Sequence, residues 1–508
     1  MNGRALMLQF LYLFSVLNHF ESAAVNSEKS IVIIGSGPSG IAAATRLLSN
    51  GFKNVTILEA ENRFGGRINT IQYGANVLDM GAQWCHGEVG NVVYEMAKGK
   101  DLLSTHVVDV SVGNLFRSNG EAIPKEIASK LNAVGHGIDS GFSEEQIVYN
   151  GSMGNFFADK YWAALQGDDF KDVDDELKHQ AFEYYHGSQR TNDGCDNWYE
   201  LSCRSSNDWE DSPGDYLLNW KDKGFVTVFD LLQNKIPSGN DSQNTVDVLP
   251  YIQLNKEVQK INYKEALTAN APIHIETSDG SIYNADHVIC TVSLGVLQHR
   301  HLSLFEPLLP SRKINSIDGR ALGTVDKLFA EYDAPFWHDQ WEGFGMLWLP
   351  EQLKVVREDA INGDWLGGII GFYRVSYQPN ILCGWITGPE ARNMERKSDE
   401  DVKRGVDKVM KMFLSKKFTV PDTKSVKRSQ WFSNPHFRGS YSYYTLKSDA
   451  VGATTSQLAE PIESENGIPV VQFAGEATSK HYFSSVHGAI ETGWREAERL
   501  IDTYKGKI

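Results

Sequence analysis

Three glycines and one carboxylate near the N-terminus have the residue types and spacing of a dinucleotide-phosphate site. An apolar run, Ser30–Ile34, precedes the glycines, and a helical pattern over 41–48 follows them. The glycines are Gly35, Gly37 and Gly40. Glycines let the backbone turn tightly and approach a pyrophosphate, which then lies at the N-terminus of the helix. Glu59 ends the next predicted strand, 54–58, where a carboxylate can hold ribose hydroxyls, so the pattern predicts a Rossmann-type site.

A second glycine pair and a distant segment indicate FAD rather than NAD. Gly66 and Arg67 follow soon after Glu59, where they add backbone donors and a bidentate cation for a diphosphate. Far downstream, a predicted strand over 470–474 ends in Gly475-Glu476, and a helical pattern over 488–500 follows. A strand that ends in this way before a helix fits the place where the ribityl and diphosphate groups of a flavin meet a second helix end.

Five motifs identify the chain as similar to a known family. They are Met80-Gly81-Ala82-Gln83-Trp84-Cys85-His86-Gly87, Thr291-Val292-Ser293-Leu294-Gly295-Val296-Leu297, Gly323-Thr324-Val325-Asp326-Lys327-Leu328-Phe329, Asn434-Pro435-His436-Phe437-Arg438-Gly439-Ser440-Tyr441-Ser442-Tyr443 and Phe473-Ala474-Gly475-Glu476-Ala477-Thr478. From about Lys29 to its end, the chain resembles the flavin amine oxidases, and within them the animal polyamine and spermine oxidases. The resemblance implies oxidation of an amine by FAD and O2, with release of H2O2.

The resemblance also implies two catalytic residues. In the family, the lysine at the place of Lys327 holds a water against flavin N5, and burial would lower its pKa. Lys327 stands in an alternating strand pattern, so an outward-facing lysine is the alternative. His86 is expected to border the amine together with Trp84, and the alternative is a structural histidine. Whether His86 takes a proton or only hydrogen-bonds is left open by the sequence.

Further cofactor and substrate contacts follow from the resemblance. The implied FAD contacts beyond the first glycines and Glu59 are Gly66, Arg67, Gln83, Trp84, Val258, Glu476, Ser485 and Val486. The implied substrate contacts are Trp84, His86, Glu200, Ser202, Tyr441 and Ser484, with Glu200 and Ser202 expected at a distal amine. An exposed acidic loop at Glu200 and a core aromatic at Tyr441 are the alternatives. No sequence pattern has metal-site spacing, so no metal is expected.

Composition and charge are consistent with a small cationic substrate. The chain has 508 residues, of which 41% are hydrophobic and 22% charged, which is typical of a globular protein with a substantial core. Sixty-five acidic residues against 49 Lys plus Arg give a formal charge of -16. This charge argues against nucleic acid and anionic membranes as partners and favours steering of a polycation. The alternative is that the acidic surface serves solubility alone.

The N-terminal residues indicate a secreted protein. A basic start, an apolar run and the small residues Ser22-Ala23-Ala24 predict a signal peptide over 1–24, with a signal anchor as the alternative. The C-terminal residues do not form a peroxisomal Ser-Lys-Leu signal, and no stable membrane anchor is expected. Asn150 and Asn240 are candidate glycosylation sites. Cys195 and Cys203 either form a bridge or remain thiols.

The pattern of elements predicts an α/β fold in which two domains interleave. A Rossmann-type FAD-binding domain of the GR2 type alternates with a sheet-plus-helix substrate domain. The FAD-binding domain is expected over 25–115, 246–310 and 463–508, and the substrate domain over 116–245 and 311–462. Strands are predicted over 251–263, in a hairpin over 273–283, and over 288–292, 324–332, 369–373 and 381–387, and a helix over 399–413.

Three functions fit these observations. A secreted polyamine oxidase acting on spermine, spermidine or their N1-acetylated forms is favoured. A second candidate, such as an L-amino-acid oxidase, needs an arginine near the flavin to hold a carboxylate, and none stands out in the motifs. A third is a flavin-binding module without catalysis, which the presence of both His86 and Lys327 disfavours.

Noncovalent FAD is the first testable expectation. Monoamine oxidases carry a flavin-linking cysteine in the segment that matches 439–442, and this chain has none there. Acid precipitation of the purified protein should therefore leave yellow FAD in the supernatant, where its absorbance spectrum identifies it. Flavin that stays with the precipitate would contradict noncovalent binding.

Overall fold

The computed structural model describes residues 28–105, 114–139, 144–236, 244–269 and 271–505. The predicted signal peptide at 1–24 and the candidate glycosylation site Asn240 lie outside the described residues. The strands are β1 Ser30–Ile34, β2 Asn54–Leu58, β3 Thr70–Tyr73, β4 Asn76–Asp79, β5 Trp84–Cys85, β6 Leu103–Ser104, β7 Leu115–Arg117, β8 Leu218–Trp220, β9 Ile252–Gln253, β10 Val258–Asn262, β11 Ile273–Thr277, β12 Ile282–Ala285, β13 His287–Cys290, β14 Phe305–Glu306, β15 Ala321–Leu322, β16 Val325–Glu331, β17 Gly343–Leu347, β18 Ile369–Arg374, β19 Ile381–Thr387, β20 Ser425–Arg428, β21 Ser442–Tyr443, β22 Ile462–Glu463 and β23 Pro469–Phe473.

The α-helices alternate with these strands along the chain. They are α1 Pro38–Ser49, α2 Val92–Ala97, α3 Lys125–Asp139, α4 Glu144–Val148, α5 Met153–Ala164, α6 Asp175–Asp193, α7 Cys203–Ser206, α8 Val228–Leu232, α9 Leu294–Leu304, α10 Ser311–Gly319, α11 Pro350–Arg357, α12 Gly388–Glu395, α13 Asp399–Leu414, α14 Leu446–Val451, α15 Thr455–Ala459 and α16 Val486–Tyr504. Among the described residues, no helix combines the length and the apolar content needed to cross a bilayer.

The first large sheet carries the dinucleotide motif. Its strand order is β22-β23-β13-β1-β2-β9, and β1 lies parallel to both β13 and β2. Strand β1 is buried from Ile31 onward because both faces of the sheet are covered. Helix α1 begins at Pro38, where the missing N–H of proline is harmless because the first turn has no partner for it. The predicted strand–turn–helix and the predicted parallel strand near 288–292 are therefore confirmed.

Helix α16 brings the C-terminal part of the chain back to this sheet. It packs across α1, and a Cβ added at Gly493 would lie 2.1 Å from the carbonyl oxygen of Ser39. The helix is longer than the predicted 488–500 because Ser485 caps its first turn by accepting a hydrogen bond from the Gly488 N–H. The two helices thus pack side by side on the same face of the sheet.

The opposite face of the first sheet is covered by a four-stranded sheet in the order β12-β11-β10-β14. It contains the predicted hairpin, with β11 antiparallel to β12. The strand pattern predicted over 251–263 is divided into two strands, because β9 joins the first sheet whereas β10 joins this one. Asn255 lies between them in the left-handed region, with φ 57°, and this conformation breaks an extended run.

In the second large sheet, in the order β20-β16-β19-β18-β17-β7, strand β16 lies between the edge strand β20 and β19. All seven residues of β16 are buried, and Lys327 pairs with Trp385 of β19. Helix α13 covers one face with an apolar stripe that includes Val402, Val406 and Phe413. The predicted strands over 324–332, 369–373 and 381–387 and the predicted helix over 399–413 are confirmed within one or two residues.

Helices α3, α5 and α6 form a third packed region around Trp198, which is fully buried. Cys195 and Cys203 both lie there as buried thiols, so the bridge considered from the sequence is not formed. Phe225 and helix α8 lie within 116–245, which was predicted to belong to the substrate domain. They pack into the core of the first sheet. The domain limits themselves remain predictions.

Candidate active site

A cavity of about 990 Å³ lies where the two large sheets and the helical region meet. It is lined by most residues that were predicted to contact cofactor or substrate: Gly35, Gly37, Glu59, Gly66, Arg67, Gln83, Trp84, His86, Val258, Lys327, Tyr441, Glu476, Ser484, Ser485 and Val486. Gly40 lies behind it, and a Cβ there would be 2.0 Å from the Gly35 carbonyl oxygen, so this glycine serves close packing. The structure brings these residues together, while the role of each one remains a prediction.

The N-terminus of α1 fits a diphosphate. Gly35 has φ 101°, and a Cβ there would lie 2.6 Å from Thr291 Oγ1. No side chain caps the helix at Gly37. Ser39 Oγ is buried and has no hydrogen-bond partner among the described residues. The backbone N–H groups at this uncapped helix end and the Ser39 hydroxyl can all donate hydrogen bonds. Phosphate oxygens are suitable acceptors for them.

Glu59 and Glu476 border the cavity at two places along the FAD site. Glu59 Oε2 accepts hydrogen bonds from the N–H and hydroxyl of Ser36 at 2.8 and 2.6 Å, which orients the carboxylate and leaves lone pairs for ribose hydroxyls. Glu476 pairs with Arg67 at 2.9 Å. Burial alone would raise the pKa of Glu476, but the charge of Arg67 and a hydrogen bond from Ser442 hold it below its usual value.

Lys327 is buried, and all three hydrogens of its ammonium are used within the protein. Nζ donates to the carbonyl oxygens of Asp79 and Gly81 at 3.0 and 2.7 Å and to Gln83 Oε1 at 2.8 Å. An ammonium has three donors, so these contacts saturate it. Burial lowers the pKa of Lys327 to about 8. The lysine therefore holds the segment 79–83 against β16. This structural role is separate from the predicted contact with a water at flavin N5.

An aromatic wall stands beside this lysine. The Trp84 ring stacks on Trp385 with 5.6 Å between ring centroids and lies 5.8 Å from the Tyr373 ring. Lys327 Nζ is 5.3 Å from the centroid of the Trp385 ring, within range of a cation–π contact. Trp385 and Tyr373 were not predicted as cavity residues, because the sequence of an apolar strand does not show which of its side chains face a cavity. The pairing of β16 with β19 supplies that information.

His86 presents an unprotonated nitrogen when neutral. Its Nδ1 lies 2.9 Å from the carbonyl oxygen of Tyr216, and a carbonyl only accepts hydrogen bonds, so Nδ1 carries the hydrogen. Burial lowers the pKa of His86, which keeps the ring neutral near pH 7. Its Nε2 can then accept a hydrogen bond or a proton from a group in the cavity.

Glu200 and Ser202 do not reach the cavity, which corrects the predicted distal amine site. Glu200 accepts a hydrogen bond from the Tyr443 hydroxyl at 2.8 Å. Ser202 Oγ accepts from the Ser205 N–H at 3.1 Å and donates to Asp449 at 2.7 Å, so it caps α7. These bonds turn both side chains into the packing of the helical region.

Asp193 and Asp211 line the cavity instead. Burial raises the pKa of Tyr441, and the charge of Asp193 adds to this effect. The charge of Asp211 acts on His86, where it opposes the effect of burial. Each acid thus lies near one residue predicted to contact the substrate. The acidic loop around 208–211 could have indicated Asp211 as a candidate substrate contact. Asp193 lies at the end of a helix, and no sequence pattern indicated that it faces a cavity.

A diphosphate cradle that continues into an aromatic pocket with a buried lysine is the arrangement of a flavin-dependent oxidase. The chain belongs to the family described as flavin containing amine oxidoreductase, whose sequence profile matches residues 38–226 and 233–501. It is therefore an FAD-dependent amine oxidase.

Similar proteins extend over nearly the whole chain. The peroxisomal N(1)-acetyl-spermine/spermidine oxidase of Bos taurus is 28% identical over 500 residues, which cover 93% of this chain and 94% of that protein. The protein of the same name from Homo sapiens is 27% identical over 507 residues, which cover 94% and 96%. Probable polyamine oxidase 5 of Arabidopsis thaliana is 28% identical over 553 residues, which cover 94% and 98%.

Replacing Lys327 by methionine should slow the reaction without removing FAD. We expect Lys327→Met to slow flavin reduction or reoxidation by about 100-fold, because one preorganised polar group is lost. Anaerobic stopped-flow absorbance measures both half-reactions. Lys313→Met is the matched control: Lys313 is also buried and donates to two carbonyls, those of Gln457 and Leu458, but lies outside the cavity lining. Equal rates in wild type and Lys327→Met would show that Lys327 is only structural.

The same variant tests the lowered pKa through stability. The folded-state pKa of Lys327 is about 8, below the value of about 10.4 for an unfolded chain. Between these pH values the unfolded chain binds more protons than the folded chain, so the stability of the wild type rises with pH relative to Lys327→Met. The thermal unfolding midpoint of the wild type minus that of Lys327→Met should therefore be larger at about pH 10 than at about pH 7.5. A constant difference would contradict the lowered pKa.

Proposed function

We propose that this enzyme oxidises polyamines: spermine, spermidine or their N1-acetylated forms. The observation that carries the proposal is the charge distribution on the cavity wall. Two acids, Asp193 and Asp211, line the cavity, and their charges act on Tyr441 and His86 respectively. A polyamine carries several ammonium groups, and separated carboxylates can hold those groups that do not react. The names of the three relatives described above, which refer to spermine, spermidine or polyamine, support the same substrate class.

The cations of the cavity disfavour a carboxylate substrate. The described part of the lining contains four Lys or Arg side chains, and each one already donates to an acceptor of the protein. Arg67 donates to Glu476, Lys256 to Asp279, Arg300 to Glu257, and Lys327 to the oxygens of the 79–83 segment. An amino-acid substrate needs a cation for its carboxylate, and a cation taken from these pairs would leave a partner unsatisfied. This supports an amine without a carboxylate.

The residues of the pocket prepare an amine for oxidation. Bound FAD supplies the acceptor for two electrons, which pass to O2 to give H2O2. The amine must be neutral to react, and His86 Nε2 can accept a hydrogen bond or a proton from it. Trp84, Trp385 and Tyr373 provide flat apolar surfaces that exclude water and orient the chain of the substrate. Asp193 and Asp211 would hold the remaining cations.

A substrate panel tests the proposed class. The purified enzyme, loaded with FAD, is incubated with spermine, N1-acetylspermine, spermidine and L-leucine, and H2O2 is followed by a coupled peroxidase assay. Mass spectrometry identifies the amine and aldehyde products. We expect H2O2 from at least one polyamine and none from L-leucine. Turnover of L-leucine without turnover of any polyamine would overturn the proposal.

Neutralising the cavity acids should weaken spermine binding. Asp193→Asn and Asp211→Asn should each raise the spermine KM by about 10-fold, equivalent to about 1.4 kcal/mol for one charge contact. One of the two acids should face the acetylated end of N1-acetylspermine, which carries no charge. In the variant of that acid, the rise in KM should be smaller for N1-acetylspermine than for spermine. Steady-state kinetics at several salt concentrations measure both effects, and the wild-type KM for spermine should rise with salt.

Glu200→Gln is the matched control for these acids. The amide oxygen introduced by this substitution could still accept the hydrogen bond from Tyr443, and the structure places Glu200 outside the cavity lining. We expect the spermine KM of the variant to stay within about 2-fold of the wild type. An equal rise in the Glu200→Gln variant would mean that net charge, rather than contact within the cavity, controls binding.

We also propose that the mature protein is secreted. The signal-peptide pattern over 1–24 supports this, and Asn150 is exposed, as an asparagine that accepts a glycan must be. Expression in an animal cell line, followed by N-terminal sequencing of protein from the medium, should find a chain that begins near Val25. Retention inside the cells with the N-terminal segment intact would contradict secretion.

A further inference from the structure

A buried pair of acids lies directly behind the strand that carries Lys327. Asp326 precedes Lys327 in β16, so its side chain points to the opposite face of the sheet. It is fully buried. Its Oδ1 accepts hydrogen bonds from Ser429 Oγ at 2.7 Å and from the Trp431 N–H at 3.3 Å. Its Oδ2 is buried and receives no donor from the described residues.

The second acid is Glu395, the last residue of α12, and it is also buried. Both of its oxygens are used as acceptors. Oε1 accepts from the Phe432 N–H at 2.8 Å and Oε2 from the Ser433 N–H at 2.6 Å. The two acids together therefore hold three successive backbone N–H groups, those of residues 431, 432 and 433.

The surroundings of Asp326 favour its protonated form. Burial raises the pKa of Asp326 well above its usual range, and the charge of Glu395 together with a hydrogen bond between the two acids raises it further. A raised pKa favours the protonated form of Asp326, in which Oδ2 would carry the proton and direct it toward Glu395. This assignment accounts for the buried Oδ2 that has no donor, because that oxygen is itself the donor.

The segment 429–433 connects this pair to the cavity. Trp431 lines the cavity and packs so closely on Gly81 that a Cβ there would lie 3.0 Å from the tryptophan ring. The Gly81 carbonyl accepts a hydrogen bond from Lys327 Nζ. Ser429 Oγ accepts from the Lys327 N–H at 2.9 Å while it donates to Asp326. Lys327 and Trp431 are therefore tied to the same pair of acids.

We propose that Asp326 and Glu395 are positioning residues for amine oxidation: two buried acids whose hydrogen bonds fix residues 429–433 and thereby set Trp431 against Gly81 on the wall of the FAD cavity. Neither acid lines the cavity. The proposal concerns the amine oxidase reaction and holds for any amine substrate.

Isosteric substitutions separate the two roles. Asp326→Asn keeps an acceptor for Ser429 and Trp431 and offers an N–H to Glu395, so it reproduces a protonated aspartate. Glu395→Gln replaces one of the two acceptor oxygens by an NH2 group, which cannot accept a hydrogen bond from a backbone N–H. One of the hydrogen bonds from Phe432 and Ser433 is therefore lost. We therefore expect Asp326→Asn to be tolerated and Glu395→Gln to be harmful, although each removes one carboxyl group.

The test compares Asp326→Asn, Asp326→Ala and Glu395→Gln as FAD-loaded enzymes. We expect Asp326→Asn to keep kcat within about 2-fold, and Asp326→Ala and Glu395→Gln to lower it by at least about 10-fold, since small misplacements in an active site cost this much or more. KM should stay within about 2-fold. Visible circular dichroism of the flavin band should change in the two harmful variants and not in Asp326→Asn. Glu331→Gln, a substitution of a buried acid in the same strand outside the cavity lining, should leave this spectrum unchanged.

A double-mutant cycle keeps the proposal falsifiable if Glu395→Gln does not fold. If Asp326 acts through Trp431, the loss of kcat in Asp326→Ala should largely disappear in the background of Trp431→Phe. The proposal is overturned if Asp326→Asn is as harmful as Asp326→Ala. It is also overturned if kcat and the flavin spectrum are unchanged in Asp326→Ala, or if the losses of Asp326→Ala and Trp431→Phe are additive.

Discussion

The burial of the Lys327 ammonium is the interaction on which the rest of the site depends. A cation in an apolar interior is stable only when its hydrogens are all bonded, and here the bonds go to the oxygens of Asp79, Gly81 and Gln83. These oxygens belong to the segment that follows β4 of the two-stranded β3-β4 sheet, whereas Lys327 belongs to the second large sheet. One side chain thus joins the segment 79–83 to the second large sheet. The position of Trp84 and His86 follows, because both continue the same segment.

The same principle governs the other buried charges around the cavity. Arg67 is neutralised by Glu476, which also accepts a hydrogen bond from Ser442. Burial, with the neighbouring Glu395, raises the pKa of Asp326, which favours its neutral form. The cations around the cavity therefore have their hydrogens bonded within the protein, so the proposed polyamine would meet carboxylates on the cavity wall rather than competing ammonium groups. This arrangement supports the proposed preference for an amine over an amino acid.

Much of the fold was readable from local pattern. Strand β1, the turn at Gly35 and helix α1 form a continuous unit whose contacts are close in sequence, so periodicity and glycine spacing predict it. Strand β16 was predicted for the same reason. The strand pattern over 251–263 did not show that the run is divided between two sheets, where one residue, Asn255, adopts a left-handed conformation. No propensity rule places such a break with certainty, since asparagine is common both at the ends of strands and in turns.

The sequence by itself determined the chemistry of the chain: a dinucleotide cradle, FAD rather than NAD, and an amine oxidase family recognised by its motifs. The tertiary structure decided which side chains share the cavity. Glu200 and Ser202 have suitable chemistry, but their hydrogen bonds to Tyr443 and Asp449 turn them away. Asp193, Trp385 and Trp431 come from three separate segments and meet at the cavity. Residue type and spacing describe contacts along one element, whereas these contacts depend on how separate elements pack, and that is decided by the core as a whole.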